Sequence, residues 1–462
     1  MSQTNLRHQA NLFGYDLLTQ LDANDSLIAL SNVLPWKALE KSLVKFYSEK
    51  GRKAKPIRLM AGLLILKQLE NLSDEAVVLQ WKRNPYYQYF CGFSEFQKDF
   101  PCHSTDLVYF RNRIGKEGIN EIFTMSVGIH NAKDVNEPDV IIDSTVQEKN
   151  ITYPTDGKLA IKIIHNCSKV AKQCNIKLRR TYIKEVKEKR IELRNFSHPK
   201  RIKKAKKAMK RLQTIALLLM RKLRKKLPQE IRKIYRKEYI TYQRVLRQTK
   251  YSKNKIYSLH ETHVYAIGKG KDHTKYEYGT KASICITKNS SIIIGAVAHE
   301  KNIHDSKTLP DILMHSHNQR SKPIKEGICD RGYPGVKEVT QIFNKKTITT
   351  KISLPGKPLK RDTPNDKQKK RNNFRRRAAI EPVIGHLKSD YRLDRNFLRG
   401  FKGDEVNLLL ACAAWNFKKW INLYFYALFS GDFIMLAYAI RKMRQMLLLV
   451  FILLSLKAVE KI

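Results

Sequence analysis

The apolar positions of the chain change their period as the sequence proceeds. Leu59, Leu63, Leu66 and Leu69 recur at helical spacing, and Pro56 fits the first position of that helix, where its missing N–H is tolerated. Ser73 and Asp74 supply cap chemistry for a second helix reaching Trp81, which Pro85 ends. Ser104 or Thr105 can cap a third, carrying Tyr109, Phe110, Arg111 and Arg113. Short, basic, aromatic helices of this kind suit either a helix-turn-helix-like DNA reader or a plain bundle. At Val140 the pattern switches. Val140, Ile141 and Ile142 form an apolar β-branched run, expected to be a buried strand that ends at Asp143.

From about residue 158 to 255 the pattern is helical again, with an apolar island over Leu212–Met220 that predicts a helical hairpin. Strand signals return over 278–287 and 291–297, joined by a turn at Lys288-Asn289-Ser290. Asp305 is placed to cap a helix beginning at Ser306. A strand over 324–329 then delivers Asp330, and Gly332 and Pro334 break it. A further strand over 347–354 closes at Pro355-Gly356. Residues 366–390 predict a basic helix containing Glu381, which Pro382 must kink or restart. Residues 415–429 predict a packing helix.

The resulting order is strand, insertion, two-stranded hairpin, helix, strand, helix, strand, helix. That order fits a ribonuclease H-like α/β core with a basic helical insertion after its first strand, here preceded by a helical N-terminal domain, and it fits many other α/β domains as well. It divides the chain into a helical N-terminal region (1–132), a candidate for DNA binding, a first core strand (133–157), the basic insertion (158–256), the remainder of the core (257–420) and an apolar helical tail (421–462).

Charge sharpens the picture. The chain carries 89 Lys and Arg against 42 Asp and Glu, a formal +47. Such a surplus favours a polyanionic partner, since each phosphate neutralised releases condensed counterions. Between residues 177 and 237 there are 25 Lys or Arg and 4 acids, more than solubility requires. A basic ribosomal or membrane-surface protein is the competing class. The seven cysteines include no C-x-x-C pair, which argues against a disulfide framework or structural zinc and suits a reducing cytoplasm. Residues 1–12 are polar and show no secretory h-region. The apolar run 446–456 is shorter than the roughly 18–20 residues a bilayer requires, so a buried terminal helix is expected and a membrane partner is not. No Gly-rich phosphate loop suggests a nucleotide or other small-molecule cofactor.

Phosphodiester chemistry offers a role for widely spaced acids. Two divalent ions about 3.5–4 Å apart can activate one oxygen and stabilise another. Mg²⁺ prefers hard oxygen ligands and keeps several waters, so a few carboxylates suffice. Asp143 and Asp330 at strand ends and Glu381 on a late helix fit that requirement. Taken singly, each has a plainer explanation as a turn residue, a cap or a salt-bridge partner.

The local signatures are Ile-Ile-Asp143-Ser-Thr, Cys-Asp330-Arg-Gly-Tyr and Phe374-x2-Arg377-x3-Glu381-x6-Lys388. Together with Tyr278-Gly279-x-Lys281, Asn302-x-His304-Asp305 and Asp330-x-Gly332-Tyr333, the sequence resembles the DDE transposases of bacterial insertion sequences, in particular the insertion-sequence-five family. That family lies within the broader group with the signature Tyr-x2-Arg-x3-Glu-x6-Lys. The chain departs from this signature at Phe374, which lacks the hydroxyl. The resemblance extends over most of the chain, from Leu34-Pro35-Trp36 to Trp415-Asn416.

The resemblance implies a ribonuclease H-like core with Asp143, Asp330 and Glu381 as ligands of two Mg²⁺, with Mn²⁺ as a substitute. Arg377 and Lys388 would then contact the DNA backbone. The implied reaction frees a 3′-OH at the element's end and transfers it to target DNA, with double-stranded DNA and further copies of the chain as partners. The implied setting is the bacterial cytoplasm, in association with the nucleoid. In this reading Asp305 and His304 serve the fold. A ribonuclease H-like endonuclease, or a non-catalytic DNA-binding protein from a disabled element copy, are the alternatives.

Overall fold

A computed structural model describes residues 16–428, except 49, 52, 195, 197, 250, 269–274, 357–361 and 427. Among these residues seven strands form one sheet. In chain order they are β1 (Asp139–Glu148), β2 (Tyr265–Gly268), β3 (Tyr276–Thr287), β4 (Ile293–His299), β5 (Glu326–Ile328), β6 (Glu338–Phe343) and β7 (Lys346–Ser353). β3 pairs antiparallel with β1 on one side, and on the other with β4 along one half and β2 along the other. β5 runs parallel to β1, and β7 parallel to β5. The path β4-β3-β1-β5-β7, antiparallel on one side of β1 and parallel on the other, is the ribonuclease H-like arrangement. Its centre is buried because Val140, Ile141 and Ile142 meet Ile284, Cys285 and Ile286 across the ladder.

Several local expectations change. β1 does not end at Asp143 but continues to Glu148, because β3 keeps pairing with it as far as Gly279. There is no helix between β5 and β7. Residues 338–353 form a hairpin instead, in which Val339, Gln341 and Phe343 are partly buried while Glu338, Thr340 and Ile342 are exposed. Asn344 and Lys345 make its turn with φ of 49° and 64°, the left-handed pair that matches strand twist. The strand β2 is also additional.

The basic segment around Glu381 is two helices, Pro364–Arg377 and Ile380–Ser389. Pro382 falls in the first turn of the second, where the N–H it lacks would have no intrahelical partner. Asp305 is not a cap: His304 accepts the N–H of Ser306, and Asp305 opens a short 3₁₀ turn leading into helix Leu309–His317.

The N-terminal helices include Ser26–Val33, Trp36–Val44, Ile57–Leu69, Asp74–Arg83, Pro85–Phe90 and Ser104–Gly128. Ser73 caps the fourth of these through the N–H of Ala76 at 3.0 Å. His103, not Ser104 or Thr105, caps the last, in a capping box with Asp106. Leu63, Leu66, Phe110 and Phe123 belong to the same continuous apolar core as Ile141, Ile284 and Ile328. Arg111 is buried in it as a two-pronged partner of Asp74, at 2.8 and 2.6 Å, so it is not presented to DNA.

Between β1 and β2 lie helices Asp156–Gln173, Ile183–Leu193, Ile202–Lys226, Gln229–Ile234 and Arg236–Arg247, more than a hairpin. They share a second apolar core. The longest buries Ala205, Ala208, Leu212, Ile215, Leu219 and Leu223 at helical spacing and turns most of its lysines outward. The final helix among the described residues runs over 400–426. Its Asn416 side chain accepts from Ile293 N at 3.0 Å and donates to Ile293 O at 2.9 Å, fastening it to the β4 edge. Among the described residues no helix is long and apolar enough to cross a membrane. The apolar run 446–456 lies outside them.

Candidate active site

The register between β1 and β5 decides how the acids meet. Ile141 pairs with Ile328, and extending that parallel register by two residues sets Asp330 level with Asp143. Neighbouring strands lie roughly 4.8 Å apart, so the two carboxylates share one neighbourhood at the point where β5 ends. Asp143 is half-buried, and its Oδ1 accepts the N–H of Ser144 at 2.7 Å. Asp330 Oδ1 accepts the N–H of Gly332 at 2.8 Å.

Gly332 is a bare stretch of backbone between two acids. A Cβ there would stand 2.9 Å from Asp330 Oδ1 and 3.4 Å from Asp305 Oδ2. Asp305 thus reaches the cluster from the loop after β4. Its Oδ1 accepts from Ser144 Oγ and from Lys281 Nζ, each at 2.8 Å. Sequence reasoning assigned Asp305 to capping, and it missed Ser144. The signal available was the pair of short motifs containing Lys281 and Asp305, which carry no indication that they meet.

Glu381 enters through Arg377. The break after Arg377 places the two side chains one helical turn apart across the junction, with Arg377 Nη2 donating to Glu381 Oε1 at 2.6 Å. Nη1 lies 4.0 Å from Asp330 Oδ2. The guanidinium therefore links Asp330 to Glu381, whose side chain is 62% exposed and has room to turn. The neighbouring Arg376 donates to the carbonyls of Lys288 and Asn289, each at 2.6 Å, tying this helix to the β3–β4 turn. Lys388 faces elsewhere, 3.5 Å from Glu277 on β3. Phe374 is partly buried.

Among the described residues no three Asp, Glu, His or Cys side chains come close enough to enclose an ion by themselves. The geometry is nevertheless suited to one. The donors are hard carboxylates, Gly332 leaves the space that a Cβ would fill, and the fully buried Tyr333 hydroxyl has no hydrogen-bond partner in the structure. Burial, with Cys329, Asp143, Asp305 and Asp330 nearby, pushes the Tyr333 phenol far above its ordinary range, so it stays a neutral donor. In the present arrangement Arg377 supplies the cationic charge between Asp330 and Glu381.

A ribonuclease H-like sheet with two acids level on adjacent strands and a third on a flanking helix defines the class. Residues 15–113 match the family described as "Transposase domain (DUF772)", and residues 246–417 match "Transposase DDE domain". The chain belongs to the DDE transposases of insertion sequences. The second match contains Asp305, Asp330, Arg377, Glu381 and Lys388, whereas Asp143 and most of the helical insertion lie between the two matches. The chain is also 35% identical over 192 residues to "Uncharacterized protein ORF8 in nfe locus" from Rhizobium meliloti, a stretch covering 41% of this chain and 93% of that protein. No solved structure matches it.

Proposed function

We propose that this transposase, of the insertion-sequence-five kind, cleaves the ends of its element and joins them to target DNA. In this reading Asp143, Asp330 and Glu381 hold two divalent ions, Mg²⁺ or Mn²⁺. The observation that carries it is the β1–β5 register, which sets Asp330 level with Asp143, with Arg377 joining Asp330 to Glu381. Bound there, such ions activate an attacking oxygen and stabilise a leaving one. The chain's own part is to set Asp143 and Asp330 level on adjacent strands, to keep Glu381 within reach through Arg377, and to carry DNA to them. Arg377 neutralises Asp330 and Glu381 in the structure. When the carboxylates are engaged elsewhere, its planar fork becomes available for a phosphate oxygen. Lys388 lies on the following helix with Glu381, paired with Glu277 in the structure, and is read as a second cation for the DNA backbone once released from that pair.

The exposed lysines of helix Ile202–Lys226 supply a further phosphate-binding face. We read the N-terminal helices (1–132), the insertion (158–256) and the ribonuclease H-like core as separate working parts. Pairing of two element ends by an oligomer in the bacterial cytoplasm completes the reading.

The test is a strand-transfer assay with purified protein, Mg²⁺ and a fragment carrying the element's ends. Ligation of the ends into a plasmid is the expected result. Cleavage without joining would instead identify an endonuclease, and DNA binding unaffected by Asp330→Asn with no cleavage would identify a disabled copy.

A further inference from the structure

We propose that Asp305, held by Lys281, is a positioning residue that sets the Asp143 carboxylate through Ser144. The inference rests on reading Asp143 as a metal ligand. The contacts form a continuous chain. Lys281 Nζ donates to Asp305 Oδ1 at 2.8 Å, Ser144 Oγ donates to the same oxygen at 2.8 Å, and Ser144 N donates to Asp143 Oδ1 at 2.7 Å. Lys281 is itself immobilised: it pairs with Val146 of β1 on one side and His299 of β4 on the other, and it is nearly buried. Its ammonium also donates to Ile303 O at 2.7 Å, so one lysine fixes both the backbone and the side chain of the 303–305 segment.

Nothing in the local fold requires a carboxylate at position 305. His304 caps the turn, and the Asp305 backbone carbonyl accepts from Thr308 Oγ1 at 2.7 Å independently of the side chain. The side chain instead directs Oδ1 to Ser144 and Lys281, and Oδ2 toward Gly332 and the Asp330 loop. A partly buried carboxylate in this position is neutralised by Lys281, and what it gains is a fixed Ser144. Fixing Ser144 on both its hydroxyl and its amide orients the Asp143 carboxylate. A metal ligand needs such support, because a productive site tolerates only about 0.5 Å of displacement.

The experiment uses the full chain and reads Mn²⁺ affinity by electron paramagnetic resonance titration. Melting temperature and binding of a DNA duplex by gel shift are measured alongside. Removing an outer support of a metal ligand typically weakens affinity about 10–100-fold. Asp305→Ala is therefore expected to weaken Mn²⁺ binding by that factor with DNA binding little changed, and to lower the melting temperature because the nearly buried Lys281 loses its counter-charge. Asp305→Asn keeps an oxygen that can accept from Ser144 and is expected to recover most of the affinity. Ser144→Ala, a small change that leaves the Lys281–Asp305 pair in place, is expected to reproduce the loss.

Parent-like Mn²⁺ affinity in Asp305→Ala or in Ser144→Ala would overturn the proposal. So would Asp305→Asn binding as weakly as Asp305→Ala, because the charge would then act directly and not through Ser144. Asp143→Asn separates the two layers of argument. If it binds Mn²⁺ as the parent does, the metal reading of Asp143 falls first. If it loses binding while Asp305→Ala keeps it, only the positioning role falls.

Discussion

At the residue scale, the smallest side chain in the site makes the sharpest prediction. A methyl at Gly332 would stand 2.9 Å from Asp330 Oδ1, closer than a carbon and an oxygen can pack, so the carboxylate must turn away. Misplacing a reacting group by about an ångström can cost on the order of 10²-fold in rate. Gly332→Ala is expected to lose strand transfer on that scale while melting as the parent does. Asp143→Asn and Glu381→Gln should abolish cutting yet still shift the DNA in a gel. Normal cutting by either variant would remove that residue from the site.

Two histidines away from the site set a pH dependence. His130 is buried against Asn416 O at 3.1 Å. His315 accepts from Ala296 N through Nδ1 at 3.3 Å and meets Asn120 Oδ1 through Nε2 at 3.0 Å, an arrangement that needs the neutral ring. Burial pulls both down to about 4, whereas in the unfolded chain they titrate near 6.5. The unfolded state therefore takes up more protons between those values. Their contribution to stability is complete above pH 6.5 and declines as pH falls toward 4. Thermal unfolding followed from pH 8 to 4 should show the midpoint falling below pH 6.5, with a shallower fall in His315→Gln.

At the scale of elements, the insertion helices and the sheet obey different rules. Helix Ile202–Lys226 was legible as helix from its apolar island over 212–220, part of a buried stripe from Ala205 to Leu223 that repeats at helical spacing over about five turns. Its exposed face is the place to test DNA contact. Lys203, Lys207 and Lys210 lie on one exposed strip. Replacing all three with Gln should lower the slope of log affinity against log salt by about 2–3 for duplex DNA, since each phosphate contact contributes roughly 0.9. An unchanged slope would remove this face from the DNA interface. The edge hairpin β6–β7 was only half legible. A strand was expected over 347–354, closed by Pro355-Gly356, but the expected order put a helix before it, and 338–343 acquires its strand identity by pairing with β7.

At the scale of the whole molecule, distant segments are joined by buried polar contacts that no local pattern announces. Asp74 is gripped by Arg111 and, at 2.7 Å, by Lys67, whose ammonium burial pulls down to about 8. Gln68 donates to Tyr391 O at 2.5 Å, and Arg392 donates to Asn71 Oδ1 at 2.7 Å, attaching the N-terminal helices beside the Glu381 helix. A second buried group collects Lys149 at the end of β1, Glu261 and His263 after the insertion, and Asp404 on the last helix. Lys149 lies 2.5 Å from Asp404 and 3.8 Å from Glu261, and His263 lies 3.0 Å from Asp404. Entry to and exit from the insertion are thereby fastened to the same helix of the catalytic core.

The sequence by itself determined the layout: the helical beginning, the apolar first strand, the basic insertion, the hairpin, and three acids carried on separate elements. It could do so because amphipathic period, β-branched runs, proline and glycine positions and net charge all act through near neighbours in the chain. Tertiary structure alone decided which side chains face one another. The β1–β5 register made Asp143 and Asp330 neighbours across 187 residues of sequence, counted from their numbers. The helix break after Arg377 turned its guanidinium onto Glu381 and toward Asp330. The return of the chain after β4 brought Asp305 to Ser144 and took from it the capping role that its local sequence suggested. Side-chain function here depends on contacts across strands and loops, and those are set by packing, which no single segment encodes.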